Sequence, residues 1–196
     1  MIYMGMGGDW APHAPRVDIL ISERLKARGH DGTRDETKCL YGSTIKSQAL
    51  DYARNGDESY LKALEPQPGC IVSWVPSMKD MLLDFQSHIN ELRWNRVERY
   101  RGVNFGSLAR DIAGDISIVE TYLSLGRQKR AIRAMIDSFL DGHVVFEHRL
   151  TDTCDIMQIL GDHEGEIWFT GPCLVHDYDP SLHAVAIPKS GFASAP

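Results

Sequence analysis

Near its C-terminal end the chain reads Glu164-Gly165-Glu166-Ile167-Trp168-Phe169-Thr170-Gly171-Pro172-Cys173-Leu174-Val175. The apolar triplets on either side of Gly171-Pro172 have the composition of short buried strands, and the Gly-Pro pair predicts a turn between them. Side chains alternate along a strand with a period of two, so Glu164 and Glu166 are predicted to project to the same side. The segment therefore predicts a strand, a turn and a second strand, with two carboxylates on one face at its start.

Paired carboxylates give this segment a chemical interpretation. Neighbouring carboxyl groups raise each other's pKa, and such a pair can act as a base and as a hydrogen-bond acceptor. One carboxylate can also stabilise a positively charged, sugar-like transition state. The alternative is a solvated turn between Leu160 and Ile167, because acidic residues and glycines are common in turns.

Short strands and helices alternate along the rest of the chain. Strands are predicted at 1–4, 39–41, 70–75, 144–150, 167–169 and 173–175, and helices at 15–28, 47–54, 59–64, from Ser77 onward, 106–124 and 127–140, with a short helix or turn at 155–160. The block at about 88–140 is predicted to be helical and to lie between strands. We therefore predict an α+β fold, a single domain over 1–196 that has a mixed or antiparallel sheet of short strands and this helical insertion.

Composition limits the class of protein. The chain has 196 residues, enough for one substantial core, and its formal net charge of -6 argues against a nucleic-acid partner. No apolar run approaches the roughly 20 residues of a membrane-spanning helix, and 1–8 lacks the pattern of a secretion signal. The four cysteines are widely spaced, as expected for buried free thiols. We therefore expect a cytoplasmic protein with no membrane partner.

Together with its surroundings, the carboxylate segment resembles the end of the ADP-ribosyltransferases, in particular the small phage-encoded enzymes that modify protein arginines. In that family a strand similar to Val144-Val145-Phe146-Glu147 precedes a variable turn, and a Glu-x-Glu then opens a strand that leads through a short turn to a final apolar strand. The resemblance is strongest over 142–178. It implies an ADP-ribosyltransferase-like fold and an enzyme that transfers ADP-ribose from its substrate NAD to a macromolecule, which we expect to be a protein.

The resemblance also implies roles for individual residues. Glu166 would stabilise the ribosyl cation and hold the nicotinamide ribose hydroxyls, while Glu164 would help to accept a proton from the target side chain. Ser73 or Ser43 would orient Glu166, and Tyr41 would stack on nicotinamide. The residues implied in NAD binding are Tyr3, Arg34, Tyr41, Ser43 and Thr44. No metal ion is expected at this site, and an NAD glycohydrolase would use the same chemistry with water as acceptor.

Two alignments with the family are compatible with the sequence. In the first, Val72-Ser73-Trp74-Val75 is the serine strand, 40–43 is the earlier strand on the nicotinamide side, and 144–150 lies between serine and glutamate. In the second, Ile2-Tyr3-Met4-Gly5 is the first strand, and 40–44 is the serine strand with a helix after it. We favour the first alignment.

One departure from the family motivates a rival hypothesis. The family has an arginine or a histidine inside its first strand, ahead of a glycine, whereas the matching places here hold Tyr41-Gly42 or Tyr3-Met4-Gly5. Arg34 would have to supply a guanidinium from the loop. The rival is therefore a non-catalytic binding or inhibitor protein on a degenerate version of the fold.

Two other groups of residues rank lower. A metal-dependent hydrolase would use imidazoles and carboxylates near the C-terminal end, but tight ligand spacing is absent. That group comprises His163, Glu164, His176, Asp177, Asp179 and His183. The segment 93–101 mixes arginines with Trp94 and Tyr100, as anion and nucleic-acid contacts do. Glu91 and Glu98 nevertheless favour a solvated helix face for this segment.

Overall fold

A seven-stranded antiparallel sheet forms the centre of the fold in the computed structural model, which describes residues 1–6, 14–151 and 156–181. Every pair of neighbouring strands in it is antiparallel, so the sheet is not mixed. Across the sheet the strands are β7 (Phe146–Arg149), β4 (Ile71–Trp74), β8 (Glu166–Thr170), β2 (Cys39–Ser43), β1 (Ile2–Gly5), β3 (Leu61–Pro66) and β9 (Cys173–Asp177).

Most of the helical residues lie between β4 and β7. This block contains α3 (Met81–Trp94), a hairpin of β5 (Arg99–Tyr100) and β6 (Val103–Asn104), α4 (Gly106–Ile112), α5 (Ile116–Ser124) and α6 (Lys129–Asp141). The other helices are α1 (Pro15–Lys26), α2 (Lys46–Asp51) and α7 (Ile156–Leu160). The predicted helical insertion is confirmed, although it begins earlier than residue 88. No helix in the described part of the chain has both the length and the apolar character needed to cross a bilayer.

Side chains along β2 and β8 point alternately to the two faces of the sheet, and each face carries its own hydrophobic cluster. Tyr41 lies opposite Trp168, and both contact the larger cluster, which α1 and α3–α6 build on one face of the sheet. The neighbouring residues Leu40 and Phe169 point to the other face, where they join a smaller cluster together with α7. Ser43 and Glu166 are also opposite each other, and by the same alternation they share the helical face with Tyr41 and Trp168.

Three element predictions differ from the structure. The helix predicted at 59–64 is wrong: a 3-10 turn at Glu58–Tyr60 leads into strand β3. An apolar run this short fits both the helical period of 3.6 residues and the strand period of 2. Its pairing with both β1 and β9 makes it a strand. The helix predicted at 106–124 is two helices, because Ala113 and Gly114 adopt positive φ between them. The helix predicted from Ser77 onward begins at Met81, and Asp80 caps it, since its carboxylate accepts the Leu83 N–H.

The packing of α2 on β1 leads to a stability prediction. A methyl group at Gly5 would lie 2.1 Å from the Ala49 carbonyl oxygen and 2.6 Å from the Ala53 nitrogen, both backbone atoms. Gly5→Ala therefore forces α2 away from the sheet, and we expect it to lower the free energy of unfolding by about 1–3 kcal/mol in urea denaturation.

The matched control is Gly142→Ala. A methyl group there would lie 3.4 Å from the Phe139 carbonyl oxygen, an ordinary van der Waals contact, and φ is an ordinary -83°. We expect this variant to stay within about 0.5 kcal/mol of wild type. Equal stability of the two variants would contradict the close approach of α2 to β1.

Candidate functional site

A buried cluster of charges lies on the helical face of the sheet, beside the β2–β8 pair. The Arg34 side chain is only 2% exposed, and its Nε lies 2.8 Å from Asp18 Oδ1. Its Nη1 lies 2.9 Å from Glu166 Oε1, as an ion pair without the alignment of a hydrogen bond. The guanidinium carbon is 5.0 Å from the ring centroid of Tyr41 and 5.1 Å from that of Trp168. One cation is thus enclosed by two carboxylates and two aromatic rings.

Hydrogen bonds fix the loop between α1 and β2 that carries Arg34. The Arg34 backbone N–H donates to Ser22 Oγ at 2.6 Å, and the Tyr41 hydroxyl donates to the Arg34 carbonyl oxygen. One residue earlier, the Thr33 N–H donates to Thr170 Oγ1 at 2.9 Å. The loop is therefore hydrogen-bonded both to α1 and to the sheet, and these bonds fix the position of the Arg34 backbone.

The first turn of α3 holds the Glu166 carboxylate. Glu166 Oε2 accepts the Met81 N–H at 2.8 Å, and the Asp80 side chain caps the same helix end at Leu83. An anion is stabilised there because the first N–H groups of a helix have no partner within the helix. Gly165 permits this approach: its φ is +152°, and a methyl group on it would lie 2.5 Å from the Met78 carbonyl oxygen.

Burial and ion pairing act in opposite directions on these groups. Burial raises the pKa of Glu166 to about 7, even though Arg34 and the Met81 N–H both favour its ionised form. Burial likewise raises the pKa of Asp18 against the opposing charge of Arg34. For Arg34 burial acts to lower the pKa, but the charges of Glu166 and Asp18 hold it well above its usual value. Arg34 therefore stays charged, while Glu166 can gain or lose a proton near neutral pH.

A cavity of about 460 Å³ opens beside this cluster. Three tyrosines and four acidic residues are part of its lining: Tyr3, Tyr41, Tyr52, Asp18, Glu36, Asp80 and Glu166. Among the described residues that line it, Arg34 is the one cationic side chain. The volume is in the range of small-molecule sites, which is roughly 300–1,000 Å³. Aromatic rings and an excess of carboxylates favour a ligand whose inserted end is planar and positively charged.

Four of the five residues implied in NAD binding line the cavity, namely Tyr3, Arg34, Tyr41 and Ser43. The Ser43 hydroxyl donates to Gln48 Oε1 at 2.7 Å and accepts the Ile45 N–H at 2.9 Å, at the start of α2. Thr44 does not line the cavity. Its hydroxyl donates to the His163 carbonyl oxygen at 2.8 Å and accepts the Gly165 N–H at 3.2 Å, so it holds the turn before β8.

Glu164 and Glu166 are not brought together as a pair. Strand β8 begins only at Glu166, and Glu164 is exposed and does not line the cavity. The prediction assumed that both residues were extended. Gly165, with positive φ, breaks the alternation between them, so the same-side geometry fails.

Ser73 lies away from Glu166. It is opposite Trp168 on one side and Glu147 on the other, and its hydroxyl donates to the Glu147 carboxylate at 3.4 Å. Glu147 also accepts the N–H groups of Asp31 and Gly32, at 3.0 and 2.7 Å. Ser73 and Glu147 therefore anchor the loop that carries Arg34, and the structure does not bring Ser73 into contact with the cavity.

Sequence reasoning missed three contributors to the site: Asp18, Asp80 and Tyr52. Asp18 is the one acidic residue among the buried positions of α1, beside Val17, and an acid on a buried helix face signals an internal partner. Asp80 stands three residues before Leu83 at the start of an apolar helix, which is a capping signal. The Tyr52 hydroxyl donates to the Asp80 carboxylate, a contact between distant segments that no local pattern reveals.

Three of the residues considered for a metal site, His163, His176 and Asp177, have other partners. His163 Nε2 lies 3.1 Å from the Glu166 carbonyl oxygen, and His176 Nε2 lies 2.9 Å from Glu65 Oε2. Asp177 pairs with Lys62, and His183 lies outside the described residues. Within the described ranges, no group of three or more His, Cys, Asp and Glu side chains is arranged to hold a metal ion.

The buried cluster predicts a pH-dependent loss of stability in Arg34→Met. Without the guanidinium, Asp18 and Glu166 are buried without a cation, and we expect a loss of about 3–5 kcal/mol at neutral pH. Both carboxyl pKa values then rise further, so the folded state binds protons more tightly than the unfolded state does. Stability consequently falls as pH rises from about 4 through 7, and the deficit relative to wild type is larger near pH 8 than near pH 5.

Arg133→Met is the control for this experiment. Arg133 pairs with Glu23 at 2.7 Å, but both side chains are 42% exposed. An exposed pair contributes less than about 1 kcal/mol. Chemical denaturation at several pH values measures all three proteins. A deficit in Arg34→Met that does not vary with pH would contradict the proposed coupling to the two carboxylates.

Comparison with known proteins gives no match. No protein-family model fits the chain, and neither a curated protein nor a solved structure is significantly similar to it. What supports a function is therefore the set of contacts around the cavity, which joins Glu166, Ser43 and Tyr41 in one space, together with the motifs described above.

Proposed function

We propose that the chain is an NAD-dependent ADP-ribosyltransferase whose chemistry centres on Glu166. The observation that carries the proposal is the placement of this carboxylate. It is 15% exposed, it lines a cavity with three tyrosines, it lies opposite Ser43, and its pKa is about 7. A largely desolvated carboxylate at the wall of a cavity is suited to stabilise a cation that forms during a reaction.

The arrangement of the strands supports the second of the two alignments. Strands β1 and β2 are neighbours, α2 follows β2 and packs on β1, and Ser43 stands opposite Glu166. Because the resemblance assigns to a serine the role of orienting Glu166, the position of Ser43 opposite Glu166 favours the second alignment over the first. Ser43 then takes the serine role and Tyr3 lies on the first strand, while β4 is the additional strand before the helical insertion.

The lining determines which part of NAD fits the cavity. The nicotinamide ring of NAD is planar and positively charged, which suits the tyrosines and the acidic side chains. The pyrophosphate is anionic and does not suit this lining, because the guanidinium of Arg34 is already paired with Asp18 and Glu166. We therefore place the nicotinamide riboside end inside the cavity, with Tyr41 against the ring, and the pyrophosphate at its mouth.

The proposed reaction moves one positive charge. The bond between the ribose C1′ and the nicotinamide nitrogen breaks, and its electron pair leaves with nicotinamide, which becomes neutral. The positive charge passes to the ribose as an oxocarbenium ion, next to the ionised carboxylate of Glu166. A nucleophilic side chain of a protein target then forms the new bond to C1′ and loses its proton. We assign the acceptance of that proton to Glu164, which is exposed at the turn before β8.

Glu166→Gln tests the assignment directly. It keeps the shape of the side chain but removes the negative charge that stabilises the oxocarbenium ion. We expect nicotinamide release from NAD to fall by about 100- to 1,000-fold, measured by chromatography in the presence of cell lysate. Glu91→Gln, an exposed change on α3, is the matched control and retains full activity.

Two results would contradict the assignment. One is a Glu166→Gln variant that folds by circular dichroism and still releases nicotinamide at the wild-type rate. The other is wild-type protein that neither releases nicotinamide nor labels any protein in the lysate. Release of nicotinamide without labelling would identify a glycohydrolase, in which water takes the place of the target side chain.

The rate of nicotinamide release should depend on pH. Glu166 acts in its ionised form, and burial raises its pKa to about 7. The rate is therefore expected to rise with pH through about 7 and to be roughly tenfold lower near pH 6 than on its plateau. A profile of kcat/KM between about pH 5.5 and 8.5 measures this, and a flat profile would contradict the role of Glu166.

A non-catalytic binding protein is the second candidate. It is favoured by the double pairing of Arg34, which leaves the described lining without an uncommitted cation for a pyrophosphate. On this hypothesis the cavity binds a small planar cation such as 1-methylnicotinamide in calorimetry, and NAD is not consumed. Consumption of NAD that depends on Glu166 would exclude it.

A further inference from the structure

A basic and aromatic surface lies at the C-terminal end of α3 and on the β5–β6 hairpin. We call it the arginine surface and define it by five residues: Arg93, Trp94, Arg96, Arg99 and Arg101. Trp94 is 75% exposed, and the four arginines are all exposed. The segment 93–101 contains these arginines and a single acid, Glu98, in a chain whose net charge is -6. Its local charge thus has the opposite sign to that of the whole chain.

Three of these four guanidinium groups have no counter-ion within the described part of the chain. Arg101 lies 2.7 Å from Asp141, whereas Arg93, Arg96 and Arg99 form no ion pair with any other described residue. Arg93 instead lies over the ring of Trp94, with its guanidinium carbon 5.3 Å from the ring centroid. Three positive charges are therefore directed to solvent beside an exposed indole.

Two of these arginines stand where the backbone favours other residues. Arg96 has φ +54° at the end of α3, where Val97 N–H donates to the Leu92 carbonyl oxygen at 2.9 Å, and glycine is the usual residue at such a position. Arg101 has φ +46° in the two-residue turn between β5 and β6, a turn that favours Asn or Gly. At Arg101 the ion pair with Asp141 is an internal contact that favours arginine. At Arg96 there is no such ion pair with a described residue, so folding does not account for arginine there, where the backbone conformation disfavours it.

We propose that the arginine surface binds single-stranded nucleic acid. Guanidinium groups pair with phosphates, and an exposed tryptophan offers a face on which an unpaired base can stack. An acidic peptide would use the arginines but would leave Trp94 without a comparable partner. The surface also lies at the opposite end of α3 from Met81 and Glu166. The inference is therefore independent of the reaction proposed for the cavity.

The binding is tested with the whole protein and a fluorescein-labelled oligothymidylate of roughly ten nucleotides. Fluorescence anisotropy at several salt concentrations gives the affinity and its salt dependence. We expect Trp94→Ala to weaken binding by about tenfold through the loss of one stacked base. We expect Arg96→Gly to reduce the slope of log K against log salt by about 0.7, the value for one phosphate contact on a single strand.

Arg96→Gly also separates a binding role from a structural one. Glycine is favoured at φ +54°, so this variant should keep or raise the melting temperature while it weakens binding. Arg54→Ala is the matched control, because Arg54 is exposed and its guanidinium carbon lies 5.9 Å from the ring centroid of Tyr60, outside the arginine surface. It should leave both affinity and salt slope unchanged.

Each other outcome would overturn the inference. Absence of binding at low salt would do so, as would unchanged affinity in both Trp94→Ala and Arg96→Gly. Equal competition by a polyglutamate peptide of matched charge would show that the surface recognises acidic protein and not nucleic acid. Preservation of oligonucleotide binding in Glu166→Gln is expected, so a failure of the proposed enzyme activity and a failure of this inference are distinguishable.

Discussion

The buried guanidinium of Arg34 is the contact on which the cavity depends. Removing a charge from water costs several kcal/mol, and here Asp18 and Glu166 offset that penalty at two different nitrogens of the guanidinium, with the rings of Tyr41 and Trp168 close by. These partners come from α1, β2 and β8. The contact that neutralises the charge therefore also fixes the position of α1 relative to the sheet, and neither α1 nor β8 can move away without leaving a buried carboxylate unpaired.

The same contact determines how Glu166 behaves. Burial favours its protonated form, whereas Arg34 and the first turn of α3 favour the ionised form. Burial outweighs these interactions and raises the pKa of Glu166 to about 7, so its charge changes near neutral pH. Glu166 lines a cavity and has a raised pKa. Asp137 is also paired with arginines, but its pairing with Arg24 and Arg28 lowers its pKa.

Local patterns predicted much of the fold and part of the site. The strands around Ile71–Trp74 and Glu166–Thr170 are short apolar runs rich in β-branched and aromatic residues, and α1 and α6 have apolar faces at helical spacing, so the type of all four elements was predicted correctly. The β3 strand was not predictable in this way, since only its pairing with distant strands decides its conformation. Likewise Glu166 could be chosen from sequence, but Ser43 rather than Ser73 as its neighbour follows from strand order, which no local pattern encodes.

The hydrogen bond between Glu166 Oε2 and the Met81 N–H has a consequence for motion. An ionised carboxylate is a much better acceptor at a helix N-terminus than a neutral acid, so proton uptake by Glu166 loosens the first turn of α3. By thermodynamic linkage the relation runs both ways: whatever orders or frays that turn also changes the proton affinity of Glu166. The same helix ends at Trp94, about 20 Å away at 1.5 Å per residue, so the titrating group and the arginine surface lie at its two opposite ends.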